Sequence, residues 1–233
     1  MGRVKVYELK AKVVLLKDLT DDKLLTVESD FIDSALAKDP YWFEFHKKNQ
    51  YKHYTFDKLK PFMGNAVYTK DNVYTIVIRS VNESLIKYLC ETLKDNSNDT
   101  FKGVSTDLHI VKKRKIRDLY TLTPIIMKYE SGYWRTQEGL NQFEKDLFAN
   151  AVKKYNDFTG EKINENFDLY NSIEIRNKYP ISNKYKNITL LGDKIHLLIS
   201  DDPMSQELAY FLSGVGVGTC CSRGFGFCNF DWV

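Results

Sequence analysis

One short segment in the first quarter of the chain gathers most of the side chains suited to proton transfer. It holds His46 and His53, two of the four histidines, with Tyr51 and Lys52 between them. Imidazole titrates near neutral pH and can act as a general base or acid. An ammonium group can stabilise negative charge on a phosphate oxygen. The segment therefore indicates chemistry at a phosphate, and the alternative is a solvated polar loop.

A second unusual segment lies near the end of the sequence, where five glycines fall between positions 214 and 226. Glycine permits conformations closed to other residues and lets a ligand approach the main chain, so we expect exposed N–H groups suited to phosphate. No Lys-Ser or Lys-Thr follows, which excludes a Walker loop. The run enters a strand rather than a helix, which argues against dinucleotide binding. A helix cap followed by a tight turn is the alternative.

A basic run separates the two halves of the sequence. Five of its six residues are positively charged: Lys112, Lys113, Arg114, Lys115 and Arg117. Such a run can bind phosphates in a salt-sensitive way, and otherwise it is a solvated linker. Five more cations could extend the basic surface across the second half: Arg176, Lys178, Lys184, Lys186 and Arg223.

The remaining histidines and the cysteines predict neither a metal centre nor a disulfide framework. His109 and His196 lie within apolar alternations and are expected to be structural, His196 without a carboxylate or cysteine partner. Cys220 and Cys221 are adjacent, with no paired C-x-x-C elsewhere, so zinc is not expected. We expect no metal and no cofactor.

Composition and charge describe an ordinary globular protein. The 233 residues are 43% hydrophobic and 28% charged, and the net charge is only +3, so any nucleic-acid surface has to be local. The first residues lack a long apolar stretch, and no run approaches the roughly 20 apolar residues that span a membrane. A cytoplasmic protein without membrane contact is expected.

Periodicity predicts the elements that position these segments in the first half. Alternation from Val4 to Leu16 is typical of a strand. The next elements are a helix to Leu36 capped by Asp21 or Asp22, a hairpin of 67–68 with 73–78 turning at 71–72, a helix over 85–93 and a strand over 104–111.

The second half repeats this order of elements. The expected elements are a strand over 122–127, a helix through 140–155, a hairpin of 188–190 with 195–199 turning at Gly192-Asp193, a helix over 204–212 ended by Gly214, and a strand over 225–230. Both halves read β-α-β-β-α-β, the ferredoxin-like order. We therefore predict an α+β fold of two tandem ferredoxin-like domains. Residues 1–118 would carry the histidine segment, and 119–233 the glycine-rich loop.

Three segments give the chain a resemblance to a known family. The run from Gly216 to Gly226 resembles the C-terminal glycine-rich loop of the CRISPR repeat-RNA processing endoribonucleases of the RAMP superfamily, roughly G-x-G, a few polar or basic residues, then S-x-G-F-G. Thr123-Pro124-Ile125 and the helix after it resemble the opening of the family's second domain. His46 to Phe56 resembles the family's catalytic loop. The resemblance spans most of the chain and implies the same two-domain architecture.

The resemblance also implies roles for individual residues. His46 matches the catalytic histidine and Lys52 the lysine that stabilises the phosphate. The family often has a tyrosine on the first helix where this chain has Phe31, whose ring cannot exchange a proton. Unless that role is dispensable, three neighbours are candidates to fill it: Tyr51, His53 and Tyr54. The RNA-binding residues would be Gly216, Gly218, Ser222, Arg223, Gly224 and Gly226 of the loop and Lys112, Lys113, Arg114 and Lys115 of the basic run.

Two functions remain open at this point. The resemblance implies a metal-independent endoribonuclease that cuts CRISPR precursor RNA within the repeat. Attack by the 2′-hydroxyl would leave a 2′,3′-cyclic phosphate and a 5′-hydroxyl. The alternative is a non-catalytic RAMP-type subunit that binds RNA in an effector complex. CRISPR repeat RNA is the expected partner in both cases, and other effector subunits and a second copy in a homodimer are further expectations.

Overall fold

The first half of the chain folds as a four-stranded antiparallel sheet with helices packed on it. The computed structural model describes residues 4–64, 66–130, 132–185 and 188–233. The elements of the first half are β1 (Tyr7–Leu15), α1 (Leu24–Leu36), α2 (Pro40–Lys47), β2 (Tyr54–Phe56), β3 (Val73–Ser80), α3 (Glu83–Leu93) and β4 (Phe101–Ile110). The strand order is β2-β3-β1-β4, and every neighbouring pair is antiparallel.

The second half repeats this arrangement with one insertion. Its elements are β5 (Ile116–Thr121), α4 (Trp134–Gln137), α5 (Gly139–Thr159), β6 (Tyr170–Ile175), β7 (Ile181–Tyr185), β8 (Ile188–Gly192), β9 (Ile195–Ile199), α6 (Pro203–Val215) and β10 (Cys228–Trp232). The sheet order is β10-β5-β9-β6, and β7 pairs with β8 in a separate hairpin. With the hairpin set aside, these strands take the same relative positions as β1 to β4. The predicted α+β fold with two ferredoxin-like halves is confirmed.

Each half has its own buried core, built from the apolar stripe of each helix. In α3 the stripe is Leu85, Ile86, Leu89 and Leu93, all fully buried. The helix begins where the Asn82 side chain accepts a hydrogen bond from the backbone N–H of Leu85 at 3.0 Å, satisfying a donor that has no partner within the helix. The 3.6-residue period thus predicted this helix correctly.

The start of the first helix differs from its prediction. A 3-10 turn covers Asp21–Lys23, and α1 follows without a side-chain cap. Asp21 instead pairs with Lys58, 2.6 Å away. The predicted cap by Asp21 or Asp22 is therefore wrong, because the carboxylate of Asp21 is held by a cation distant in sequence.

Both predicted hairpins are wrong in their partners. Tyr68 donates its backbone N–H to the carbonyl of Leu19 at 2.8 Å, so β3 pairs with β2 instead. In the second half, β8 pairs with β7, and Gly192-Asp193 connects the hairpin to the main sheet. Turn-favouring residues located these bends correctly, but contacts with residues distant in sequence determine which strands pair.

Asp193 ties the inserted hairpin to the second half. Its carboxylate is fully buried and accepts four side-chain hydrogen bonds, from Tyr133, Trp134, Arg135 and Asn177. Four donors around one carboxylate satisfy its acceptor capacity, which offsets the cost of burying the charge.

The strand that opens the second half lies earlier than predicted. It covers Ile116–Thr121 rather than 122–127, because Ile125 makes an isolated bridge with Asp193 and Ile126 one with Thr219. The predicted boundary between 118 and 119 falls inside β5, a strand paired with β9 and β10. The division of the chain into two domains at that point stays a prediction.

The loop that carries the glycines begins two residues and ends three residues later than expected. Helix α6 continues to Val215, and Gly216 caps it with a φ of +79°. The final strand begins at Cys228 rather than Phe225, because the backbone N–H groups of Gly226 and Phe227 bond to Pro124 and Thr123 instead of to a strand.

Gly226 is expected to be essential for stability. A Cβ at this position would lie 1.9 Å from the carbonyl oxygen of Val217, and its φ is +66°. Gly160 is the matched control, because its φ is +72° but a Cβ there would meet nothing within 4 Å. Gly160→Ala should cost about 1–2 kcal/mol of backbone strain, and Gly226→Ala roughly 1–3 kcal/mol more through overpacking. Denaturant unfolding checks this, and equal losses would contradict it.

Candidate functional site

The histidine segment begins on a helix that the sequence reading missed. Asp39 caps α2 by accepting hydrogen bonds from the backbone N–H groups of Tyr41 and Trp42 at 2.9 and 3.1 Å, and Pro40 occupies the first position, where its fixed φ suits a helix. Trp42 is buried and anchors the helix to the first half. His46 therefore lies in the last turn of α2. The prediction that it lies in a loop is wrong.

His46 forms a pair with a carboxylate on α1. Its Nδ1 lies 3.2 Å from Oδ1 of Asp33, and 40% of its side chain is exposed. A carboxylate at one ring nitrogen fixes the orientation of an imidazole and leaves Nε2 for a substrate. Asp33 was missed by sequence reasoning, and the only signal was an acidic residue on the first helix.

Lys52 closes the end of the helix that carries His46. Its ammonium donates to the backbone carbonyls of Phe45, His46 and Lys48, the last two at 2.9 and 2.7 Å. A cation here also interacts favourably with the helix dipole. Desolvation by burial lowers the pKa of Lys52, partly offset by Asp33. All three N–H donors contact protein, so the predicted contact with phosphate stays a prediction.

His53 lies at the contact between the two halves. Its Nε2 is 2.8 Å from Oδ2 of Asp157 on α5, and only 11% of its side chain is exposed. Desolvation lowers the pKa of His53 despite the bond to Asp157. The ring packs against Phe158 and lies near Tyr51, with centroids 5.4 and 6.2 Å away. His53 and Tyr51 line a small cavity of about 130 Å³, beside the site of His46.

A cleft of about 360 Å³ brings the two halves together around His46. Lys52 also lines it, and the second half contributes Ser222 and Arg223 of the glycine-rich loop, with Lys128. The cleft-lining cations are Lys47, Lys48, Lys52, Lys128 and Arg223, against the carboxylate of Asp33. This excess of positive charge suits a phosphate-bearing ligand.

The glycines of the loop contact protein rather than open solvent. The backbone N–H groups of Gly216, Gly224 and Gly226 donate to carbonyls within the protein, which corrects the expectation of exposed N–H groups. Gly218 is also buried, and a Cβ there would lie 3.0 Å from the carbonyl of Ile126. The half-buried Ser222 and Arg223 remain on the cleft side.

The buried Lys154 binds the backbone of the glycine-rich loop. Lys154 on α5 is only 4% exposed. Its ammonium donates to the carbonyl of Gly216 at 2.9 Å and lies 3.1 Å from Sγ of Cys221.

Arg223 has its guanidinium 4.7 Å from the ring centroid of Tyr185, a cation–π contact that orients the side chain beside the cleft.

The basic run lies away from this cleft. Lys113 pairs with Glu207, and Lys115 pairs with Asp201 at 2.9 Å, both near the first residue of α6. The glycine-rich loop follows the last residue of the same helix, and 13 residues at about 1.5 Å each make roughly 20 Å. No cleft-lining residue comes from the run. RNA binding by Lys112, Lys113, Arg114 and Lys115 stays a prediction, and Lys186 lies outside the described residues.

The two other histidines sit in strands, as expected, but each has a carboxylate neighbour. His196 is 2.9 Å from Asp118, which overturns the expectation that it has no such partner. His109 is 3.4 Å from Glu8. Antiparallel pairing places these side chains together, and the sequence alone does not show that register.

The described parts of the chain hold neither a metal-binding cluster nor a helix suited to cross a membrane. Residues 4–64, 66–130, 132–185 and 188–233 contain no group of three or more histidine, cysteine, aspartate or glutamate side chains that could hold a metal ion. Within the same ranges, no helix has the length and apolar character required to cross a membrane.

Comparison with known proteins agrees with this architecture. Two ferredoxin-like units, the second with a glycine-rich loop before its last strand, define a RAMP-type CRISPR protein. The profile of the family described as "CRISPR associated protein Cas6, C-terminal" matches residues 106–230, more than half of the 233 residues. The chain belongs to the Cas6 family. No curated protein sequence matches it significantly.

Solved structures share the fold at low sequence identity. A structure described as "CRISPR associated protein Cas6" is 19% identical over 97% of this chain and 99% of its own, with a TM-score of 0.69. "An RAMP protein binding different RNA substrates" is 18% identical over 97% and 99%, with a TM-score of 0.71. A Cas6 product complex is 15% identical over 98% and 100%, with a TM-score of 0.62.

The buried His53 predicts a pH dependence of stability. Because its pKa is lowered by folding, the unfolded state binds more protons in the pH interval from the unfolded pKa of about 6.5 down to the lower pKa of the folded state. The free energy of unfolding should therefore fall as the pH drops below about 6.5, by up to about 1.4 kcal/mol per unit. Denaturant unfolding of His53→Gln should show a flatter profile, and the exposed His109→Gln is the control. If the free energy of unfolding of His53→Gln depends on pH as steeply as that of the parent, His53 is not the group responsible.

Proposed function

We propose that this protein is an endoribonuclease that cuts CRISPR precursor RNA within the repeat. The observation that carries the proposal is the cleft that brings His46 and Asp33 of the first half beside Ser222 and Arg223 of the second. Membership of the Cas6 family supports it, as does the fold shared with a Cas6 product complex.

The proposed reaction uses the RNA's own 2′-hydroxyl. This oxygen attacks the adjacent phosphorus, the bond to the 5′-oxygen breaks, and a 2′,3′-cyclic phosphate and a 5′-hydroxyl result. A base takes the proton of the 2′-hydroxyl, and an acid supplies one to the leaving oxygen. His46, oriented by Asp33 at 3.2 Å, performs one of these transfers.

Phe31 on α1 cannot be the partner of His46 in proton transfer. Phe31 is fully buried and packs edge-on against Phe101, 5.5 Å between centroids. Burial raises the pKa of Tyr54 well above its ordinary value and raises that of Tyr51 too, so neither phenol is suited to act as a base near neutral pH. In the neighbouring cavity, His53 remains as a candidate base and Tyr51 as a candidate acid.

Phosphate binding is assigned to the second wall of the cleft. Arg223 supplies a guanidinium and Ser222 a hydroxyl on the cleft side, and both can hydrogen-bond phosphate oxygens. The loop glycines contribute indirectly, by permitting the backbone path that presents these two side chains.

Other effector subunits and a second copy of the chain are further proposed partners.

A non-catalytic RNA-binding subunit is the second candidate function. Two observations favour it: Phe31 offers no exchangeable proton, and the ammonium of Lys52 contacts three backbone carbonyls. The similar fold of a RAMP protein described as binding different RNA substrates also supports this reading. The two candidates predict different results with the same RNA.

His46→Ala is expected to reduce cleavage far more than binding. Loss of one proton-transfer group typically lowers the rate about 10²–10⁴-fold, whereas affinity comes mainly from phosphate contacts elsewhere. Single-turnover cleavage and filter binding of repeat RNA measure the two quantities. His109→Ala, an exposed histidine on β4, should match the parent protein in both.

An RNA with one 2′-deoxy group before the scissile phosphate should bind and resist cutting. If His46→Ala cuts normally while His53→Ala is inactive, the catalytic histidine is misassigned. Tight binding by the parent protein without any cutting establishes the subunit function instead.

Cleavage is expected to need no divalent metal. The described residues offer no cluster of metal-binding side chains, and proton transfer with cationic stabilisation accounts for the chemistry. Single-turnover cleavage in excess EDTA should proceed at the rate measured in magnesium. Loss of cutting in chelator with recovery in magnesium would refute this mechanism.

A further inference from the structure

We propose that Lys128 is the cation that contacts the scissile phosphate, and that Lys52 is a positioning residue for His46. The proposal rests on the proposed function and assigns a residue from the second half to the charge-stabilising role. The two lysines differ in what their ammonium groups already bind.

The ammonium of Lys52 is committed to the protein. It has three N–H donors, and backbone carbonyls of Phe45, His46 and Lys48 accept all three. A contact with phosphate would require breaking at least one of these bonds. Because two acceptors belong to the last turn of α2, Lys52 fixes the backbone that carries His46.

Lys128 has the opposite character. It is exposed and lines the same cleft as His46, and no hydrogen bond or ion pair of its side chain occurs within the part of the chain described. The chain two residues earlier is held, since both the N–H and the hydroxyl of Thr219 donate to the carbonyl of Ile126 at 2.7 Å. An uncommitted ammonium that lines the cleft suits charge stabilisation.

The walls of the cleft favour Lys128 over the other lysines. His46 comes from the first half and Lys128 from the second, so a phosphate between the walls can meet both. Lys47 is paired with Glu44 at 2.9 Å. Lys48 has no such partner among the described residues, but it follows His46 on the same wall and lies beside it rather than across the cleft.

The decisive experiment compares single-lysine variants in two measurements. One is single-turnover cleavage of repeat RNA, and the other is affinity for the 2′-deoxy RNA as a function of salt. Lys128→Ala should lower the rate about 10²-fold and reduce the slope of log affinity against log salt by about 0.7, the value for one phosphate contact on a single strand.

Lys52→Ala should separate positioning from phosphate contact. Its rate should fall because His46 is no longer fixed, its salt slope should equal that of the parent protein, and amide exchange should rise in the last turn of α2. Lys70→Ala, an exposed lysine outside the cleft, should match the parent in every measurement.

Several outcomes would overturn the assignment. The assignment of Lys128 fails if Lys128→Ala cleaves at the parent rate or keeps the parent's salt slope. It also fails if the salt slope is reduced in Lys52→Ala or Lys48→Ala but not in Lys128→Ala. If the parent protein binds and never cuts, the proposed function fails, and the salt slope alone still decides whether Lys128 contacts phosphate.

Discussion

The close approach of Gly224 to the first half is the constraint from which the site follows. A Cβ on this residue would lie 2.6 Å from the ring of Phe56 and 2.8 Å from the side chain of Leu25. Only a residue without a side chain lets the loop of one ferredoxin-like unit pack this closely on the other. Because Gly224 directly follows Arg223, this contact places the guanidinium beside the cleft that holds His46.

Helix α5 supports both sides of this contact. Lys154 donates to the carbonyl of Gly216, the residue that caps α6, and Asp157, three residues later, binds His53 of the first half. Residues three apart lie on the same helix face, so one face of α5 joins the glycine-rich loop to the histidine segment. A buried ammonium is costly without partners, and here the Gly216 carbonyl and the Cys221 sulfur surround it.

Local patterns predicted the elements and failed where partners come from distant parts of the chain. The stripe of α3 and the order of elements are encoded within short windows, so the two ferredoxin-like units could be predicted. The pairing of β2 with β3 depends on Tyr68 being held at Leu19, a contact that no window contains. Helix α2 was missed because its aromatic residues obscured the cap at Asp39 and the proline after it.

The sequence singled out residues that the fold brings together but not what their side chains contact. His46, Lys52, Ser222 and Arg223 line one cleft, and their roles in it stay predictions. Residue types alone could not show that the Lys52 ammonium faces three carbonyls, since this depends on where the helix ends. Asp33 and Lys128 carried no motif, and only the fold brings Asp33 beside His46 and Lys128 to the same cleft.

The hairpin of β7 and β8 joins neither main sheet, and its base is secured by the single carboxylate of Asp193. Its outer edge is therefore independent of the strand register on which the rest of the second unit relies. Substitutions at its exposed positions Ser182, Lys184, Thr189 and Leu191 can accumulate without disturbing that register, whereas Tyr185 is buried and orients Arg223 beside the cleft. Selection can thus reshape this projection at little cost to foldability, making it a place where related chains are free to diverge.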